Sequence, residues 1–66
     1  MKSVWIILAK FKNGEVNTNE AYKTYREAQA KMYGKIEPSQ VKTIDDWTVY
    51  DMENEILYTL KLVDIY

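Results

Sequence analysis

The chain has 66 residues and a formal net charge of −1, and it contains neither cysteine nor histidine. The missing cysteines exclude disulfide bonds and thiolate chemistry, and with histidine also absent the commonest zinc ligands are lacking. Ordering each residue costs roughly 1.5 kcal/mol, so a domain of this size has little stability in reserve. We therefore expect one small domain over residues 1–66, stabilised by self-association or by a partner.

The first apolar segment, Ser3 to Phe11, is predicted to form a strand. Side chains alternate along a strand, so its apolar residues fall on two faces, Val4, Ile6 and Leu8 on one and Trp5, Ile7, Ala9 and Phe11 on the other. A strand that is apolar on both faces is normally central and covered on both sides. Its most apolar run, residues 6–9, is too short to span a bilayer, and no signal peptide is recognisable, so we expect a cytoplasmic protein.

Asn13-Gly14 predicts a tight hairpin turn after the first strand, because both central residues of such a turn take a positive φ. The returning segment, residues 15–23, is polar. That composition suits an edge strand, where polar side chains discourage unwanted pairing.

The segment Thr24-Tyr25-Arg26-Glu27 matches a capping box and predicts a helix from Tyr25 to about Tyr33. Gly34 is expected to end that helix. The alternative begins the helix near Asn19 and shortens the second strand. We prefer the later start, because the Asn-Gly turn needs a partner strand.

The last third of the chain, Trp47 to Tyr66, predicts a β-hairpin closed by Glu53-Asn54. Cross-strand partners share a face. The predicted register is Thr48 with Thr59, Val49 with Tyr58, Tyr50 with Leu57 and Asp51 with Ile56. One face is expected to be core and carries Trp47, Val49, Ile56, Tyr58, Leu60 and Leu62. A longer loop with a shifted register is the alternative.

The element order β-β-α-β-β predicts an α+β fold, a four-stranded antiparallel sheet with one helix on one face, and we expect the strand order 2-1-3-4. The other face would stay uncovered. It would carry Tyr50, Met52, Leu57 and Val63, joined either by Val4, Ile6 and Leu8 or by Trp5, Ile7 and Phe11. An apolar patch of this kind usually marks an interface, and it predicts homo-oligomerisation or binding of another protein. The alternative is that residues 35–46 fold across this face.

Catalysis is not expected. Ser3 and Ser39 have no imidazole base, and a chain this short hardly forms a cleft for carboxylate catalysis. The segment 51–55 lacks the central glycine and the correctly spaced glutamate of a calcium loop. We therefore expect neither a metal nor another cofactor.

Charge is unevenly distributed along the chain. Residues 1–36 hold seven basic and three acidic side chains, a net +4, whereas residues 37–66 hold two basic and seven acidic ones, a net −5. The slightly negative total argues against direct nucleic-acid binding. An alternative function is an oligomer that binds a nucleotide or signalling ligand through Lys23, Tyr25 and Arg26, or a weak nucleic-acid-binding regulator using basic and aromatic side chains.

Three segments together resemble the small β-β-α-β-β proteins encoded by bacteriophages and mobile elements. They are Asn13-Gly14 between strands, Thr24-Tyr25-Arg26-Glu27-Ala28 at the helix start, and a terminal hairpin that begins at Trp47. Several such proteins inhibit host nucleic-acid enzymes or immune systems, including anti-CRISPR proteins and uracil-DNA glycosylase inhibitors. The resemblance implies a non-enzymatic inhibitor or modulator of a bacterial defence or nucleic-acid-processing protein, in the cytoplasm of the bacterial host.

The C-terminal hairpin is the expected contact surface for that bacterial protein partner. Its apolar anchors are Tyr50, Met52, Leu57 and Val63. Its acidic residues, expected to steer the encounter, are Asp45, Asp46, Asp51, Glu53 and Glu55. Aromatic and apolar anchors within a polar rim are where binding energy usually concentrates, and complementary charges speed association.

Overall fold

A computed structural model describes residues 2–18 and 20–65. The elements in chain order are β1 (Ser3–Lys10), β2 (Val16–Asn17), β3 (Ala21–Tyr22), α1 (Tyr25–Gly34), a 3₁₀ turn (Pro38–Gln40), β4 (Val41–Thr43), β5 (Thr48–Asp51) and β6 (Ile56–Asp64). All the strand pairs are antiparallel. The α+β prediction is confirmed, with one α-helix among the described residues lying against a single sheet.

The strand order is β2-β1-β6-β5-β4, and β3 also pairs with β1. Since β6 lies along one edge of β1, both β2 and β3 lie along the other, as two halves of an interrupted edge strand. The predicted order 2-1-3-4 of four strands is therefore wrong. The last strand, not the first strand of the hairpin, lies beside β1, because β6 is long enough to pair with every residue of β1. In addition, Val41–Thr43, predicted to be loop, forms an edge strand beyond β5.

The register of the terminal hairpin is confirmed, with Thr48 opposite Thr59 and Tyr50 opposite Leu57. Its loop is longer than predicted, since residues 52–55 form a four-residue turn in place of Glu53-Asn54 alone. Glu55 takes a φ of 56°, which lets the chain re-enter the ladder. A loop of two and a loop of four residues about the same centre preserve the same cross-strand pairs.

The first turn also differs in detail from its prediction. Gly14 takes a φ of +92°, whereas Asn13 is not among the residues with positive φ. The Phe11 N–H donates to the Glu15 carbonyl at 2.8 Å, which closes a three-residue loop. This is the arrangement of a turn followed by one left-handed glycine, which needs a positive φ at that position only.

The predicted helix start is confirmed. Helix α1 begins at Tyr25, and the Thr24 hydroxyl accepts the Glu27 N–H at 3.2 Å as its N-cap. The alternative start near Asn19 falls on a residue outside the described ones, but β3 occupies Ala21–Tyr22 just before the cap. Gly34 is the last helical residue, and Lys35 caps the end with its N–H donating to the Met32 carbonyl at 3.2 Å.

Helix α1 covers one face of the sheet. The buried core between them consists of Ile7, Ala28, Met32, Ile36, Val49, Tyr58 and Leu60. Trp5 and Ala9 pack against this core, so the odd-numbered residues of β1 face the helix. The prediction of core residues is wrong for two of them, because Trp47 and Leu62 are 47% and 49% exposed. They lie beyond the area that a ten-residue helix covers.

Three aromatic rings close the end of the sheet near the start of the helix. The rings of Trp5 and Trp47 are stacked at 5.4 Å and 11°. Tyr25 meets both edge-on at 5.1 and 5.3 Å. The Tyr25 hydroxyl donates to the Asp46 carbonyl at 2.6 Å and accepts from Gln29 Nε2 at 3.1 Å, so this cluster joins α1 to the turn before β5.

Stacking of the two indoles predicts an exciton couplet in the circular dichroism spectrum. We expect Trp47→Leu to abolish the couplet and to lower the free energy of unfolding by about 1 kcal/mol, the usual worth of an aromatic pair beyond its buried area. Trp5→Phe should abolish the couplet as well, whereas Tyr33→Phe should leave it intact. A couplet that survives in either single-tryptophan variant would contradict the stacked geometry.

Candidate functional site: the open face of the sheet

The second face of the sheet, turned away from α1, is the largest candidate surface. We call it the open face. Its strand residues are Val4, Ile6, Leu8 and Lys10 of β1, Val16 of β2, Ala21 of β3, Leu57, Thr59, Lys61 and Val63 of β6, Thr48 and Tyr50 of β5, and Lys42 of β4. Of the two sets of β1 residues that the sequence left open, the structure therefore places Val4, Ile6 and Leu8 here.

Residues 35–46 do not cross the open face. Ile36 is buried in the core on the helix side, and Val41–Thr43 extends the sheet at its edge. The alternative in which this segment covers the face is therefore wrong. Ile36 packs in the core on the helix side, and Val41 pairs with β5 at the sheet edge. Neither residue lies over the open face.

Cross-strand pairing makes the apolar part of the open face continuous. Val4 lies opposite Val63, Leu8 opposite Thr59, and Tyr50 opposite Leu57. These side chains are half-buried although they lie away from the helix, because neighbours on a pleated surface shield one another's flanks. What remains exposed is a band of apolar tips running along β1 and β6 and across to β5.

The charged strand residues of the open face are all lysines, namely Lys10, Lys42 and Lys61, and each is exposed. In the described strands no acidic residue shares this face with them. At the hairpin end, Lys12 forms an exposed ion pair with Glu55 at 3.0 Å. Lys61 lies opposite Ile6 and Lys10 opposite Leu57, so two of the lysines stand among the apolar residues, and Lys42 lies on the outer strand beside Tyr50. The strands of this face therefore carry positive charge, opposite in sign to the acidic hairpin that the sequence predicted.

A depression of about 260 Å³ opens at the hairpin end of the open face, lined by Lys10, Phe11, Lys12, Tyr50, Glu55 and Leu57. It combines an apolar wall with two lysines and one carboxylate. A notch of this kind can receive a single side chain of a partner, which is how interface anchors are usually held.

The predicted contact residues are distributed over three places. Tyr50, Leu57 and Val63 lie on the open face, as predicted. Met52, Glu53 and Glu55 are exposed in the hairpin loop at one end of it. Asp45 and Asp46 lie in the turn before β5, where the Asp45 carboxylate accepts the Trp47 N–H at 2.8 Å and the Asp46 carbonyl accepts from Tyr25.

Asp51 is not a surface charge, and its predicted steering role is wrong. It is 1% exposed. One carboxylate oxygen accepts the N–H groups of Glu53 at 3.0 Å and Asn54 at 3.2 Å, and the other accepts from Asn54 Nδ2 at 2.9 Å. The side-chain bond from Asn54 holds the pKa of Asp51 below its usual value, although burial alone would raise it. Asp51 organises the loop.

The alternative ligand residues do not form one site. The Tyr25 ring packs edge-on against both indoles and its hydroxyl donates to the Asp46 carbonyl, whereas Lys23 and Arg26 are exposed. Lys23 instead lines a shallow cavity of about 370 Å³ with Lys2, Ser3, Val4 and Ile65. Sequence reasoning placed Lys61 on this face without giving it a role, and it missed Lys10 and Lys42, because only the register of four strands shows that the three share one face.

No known protein family, curated protein or solved structure matches this chain. Among residues 2–18 and 20–65, no group of three or more acidic side chains is placed to hold a metal ion. No helix within those residues is long and apolar enough to cross a membrane.

Proposed function

We propose that this protein is a non-enzymatic interaction module that binds another protein on the open face of its sheet. The observation that carries the proposal is the continuous apolar band of Val4, Ile6, Leu8, Leu57 and Val63, which no described element covers. Aliphatic side chains of this kind gain about 25 cal/mol for each Å² removed from water, and large exposed patches of them are typical of binding surfaces.

The charge of the open face defines the partner further. Lys10 and Lys61 stand among the apolar residues and Lys42 beside Tyr50, so a complementary surface has carboxylates interspersed with apolar side chains. A face-to-face homodimer would bring together three lysines from each copy. This like-charge contact favours a different protein as the partner over a second copy of the chain.

The notch at the hairpin end supplies an anchor point. Tyr50 and Leu57 form its wall, and Lys10 and Lys12 stand at its rim. An apolar or aromatic side chain of the partner, flanked by a carboxylate, would fit this combination. Tyr50 is the aromatic residue of the open-face strands and is the natural centre of the binding energy.

The resemblance noted in the sequence supports a narrower proposal, in which the partner is a bacterial defence or nucleic-acid-processing protein and binding inhibits or modulates it. Complementary charge opposite the open-face lysines would make such binding fast and sensitive to salt. The alternative of a nucleotide-binding oligomer is less favoured, because Tyr25 is committed to packing and hydrogen bonding within the fold.

The experiment is affinity capture from a bacterial lysate on the immobilised protein, followed by mass spectrometry and measurement of the dissociation constant for the captured protein. We expect the double variant Leu8→Gln with Leu57→Gln to weaken binding by about a hundredfold or more, the effect of removing two interface anchors. The matched control is Leu62→Gln, an exposed apolar residue of the same strand as Leu57 that lies opposite Trp5 on the helix side of the sheet, at 49% exposure.

The control variant should bind like the wild type, and circular dichroism should show that both variants are folded. Raising the salt concentration should weaken wild-type binding, since the lysines are exposed. A partner that binds the open-face variant and the control equally well would contradict the proposal. So would a wild-type protein that captures nothing and stays monomeric at high concentration.

A further inference from the structure

A second, separate cavity lies on the helix side of the sheet, between the end of α1 and the edge strand β2. Its volume is about 220 Å³, and it is lined by Ile7, Ala9, Phe11, Asn17, Glu20, Lys35 and Tyr58. At ~30 Å³ for each water molecule, this is the space of about seven waters. The cavity therefore suits a molecule with the size of a small amino acid.

The mouth of the cavity carries one fixed negative and one fixed positive charge. The carboxylate of Glu20 and the ammonium of Lys35 form an ion pair in which each side chain is 31% exposed. The other carboxylate oxygen of Glu20 accepts the Tyr22 hydroxyl at 2.5 Å. Hydrogen bonds from Lys35 and Tyr22 hold the pKa of Glu20 below its usual value, so the carboxylate is ionised at neutral pH.

The backbone fixes both charged residues in position. The Glu20 carbonyl accepts the Ile7 N–H at 3.4 Å, which holds this residue against β1. Lys35 caps the helix, and its N–H donates to the Met32 carbonyl at 3.2 Å. The Glu20 charge is therefore held beside β1, and the Lys35 charge at the end of α1.

Tyr58 supplies a polar group deeper in the cavity. Its side chain is only 8% exposed, and no hydrogen bond joins its hydroxyl to another described residue. Its side chain lines the cavity. Burial raises the pKa of Tyr58, and the nearby Asp51 carboxylate raises it further, so the phenol is a neutral donor.

We propose that this cavity binds a free α-amino acid with an aliphatic side chain. The ligand carboxylate would lie at Lys35 Nζ, its ammonium group at the Glu20 carboxylate, and its side chain against Ile7, Ala9 and Phe11. The Tyr58 hydroxyl and the Asn17 amide would complete the polar contacts.

The paired charges decide between ligand classes. A simple anion drawn to Lys35 would also meet the Glu20 carboxylate, and a simple cation drawn to Glu20 would meet the Lys35 ammonium. A zwitterion gives each charge a partner of opposite sign. Because the ion pair is partly exposed, exchanging its partners costs little, whereas leaving either charge unpaired costs more.

The probe is L-leucine, with isocaproate and isoamylamine as analogues that lack its ammonium or its carboxylate. Titration calorimetry and NMR chemical shifts would measure binding to the full chain. We expect L-leucine to bind with shifts confined to residues around the cavity, and each analogue to bind at least about tenfold more weakly, because a charge is left unpaired. An analogue that binds as tightly as L-leucine, or shifts centred on the open face, would overturn the proposal.

Variants test the residues directly. Tyr58→Phe keeps the ring in the core and removes only the hydroxyl, so we expect weaker L-leucine binding by about threefold to tenfold with the fold intact. Lys35→Met should weaken it further, and Lys61→Met on the open face should leave it unchanged. If Tyr58→Phe and Lys35→Met bind L-leucine like the wild type, or if the wild type does not bind it, the proposal is wrong. Open-face binding would be unaffected by either outcome.

Discussion

Asp51→Ala is expected to lower the free energy of unfolding by about 2–4 kcal/mol, less than the sum of three hydrogen bonds at roughly 1.5–3 kcal/mol each, because the freed groups of the exposed Glu53 and Asn54 can bond to water instead. The substitution removes the acceptor of three hydrogen bonds and leaves the N–H groups of Glu53 and Asn54 without it. Urea denaturation followed by circular dichroism would measure the change. Glu53→Ala, an exposed change in the same loop, is the control and should stay within about 0.5 kcal/mol of the wild type.

The same carboxylate predicts how stability depends on pH. Its pKa in the folded protein is lowered, chiefly by the Asn54 side chain, relative to about 3.9 in an unfolded chain. The stabilisation is therefore fully present above the unfolded pKa and is lost as the pH falls through the folded pKa. Glu20, whose pKa is also lowered, acts in the same direction.

The variant Asp51→Asn separates this contribution from the rest. It should be less stable than the wild type near neutral pH and should lose less stability on acidification to about pH 2, because residue 51 no longer titrates. Denaturant midpoints at a series of pH values would show the difference. Parallel curves for the wild type and the variant would mean that Asp51 does not titrate differently in the folded state.

Met32→Ala is expected to have the larger effect, a loss of about 2–5 kcal/mol, as for other large-to-small changes in a sealed core. Met32 is 1% exposed and belongs to the core between the helix and the sheet, with Ile7, Ala28 and Val49. A chain of 66 residues has roughly 3–10 kcal/mol of stability in total, so the variant is expected to be largely unfolded at mild denaturant concentrations.

The neighbouring residue on the same helix provides the control for Met32→Ala. Lys31 is exposed, so Lys31→Ala should change the free energy of unfolding by no more than about 0.5 kcal/mol. Equal denaturation midpoints for the two alanine variants would show that Met32 does not fill the core as the structure places it.

Local signals in the sequence predicted the local structure well. Thr24 and Glu27 lie three residues apart, and that spacing alone fixes the helix start. The alternation of apolar residues around Tyr50 and Leu57 fixed the hairpin register, and the register held although the loop was longer than predicted. Each of these features depends on contacts within a few residues of one another.

The sheet order and the site could not be predicted in the same way. Ser3–Lys10 is apolar on both faces, so the pattern does not say which strand pairs with it or which face the helix covers. The choice follows from length, since β6 has nine residues and β5 only four. The sign of the charge around the open face and the burial of Asp51 depend on that choice. The predicted register did place Asp51 opposite Ile56 on the core face, but a carboxylate there was read as a surface charge because its loop hydrogen bonds were not predicted.

The pairing of β1 with β6 has a consequence for how the chain folds. Ser3 lies opposite Asp64, so the centre of the sheet joins segments from the two ends of the described chain. Such long-range pairing costs loop-closure entropy before any contact between the strands forms. Folding is therefore slower than for helical proteins of this size. The hairpin β5–β6 and the helix can form early, but neither gains a core until β1 docks. We expect the sheet and helix to assemble in one cooperative step, without a stable intermediate built from either half.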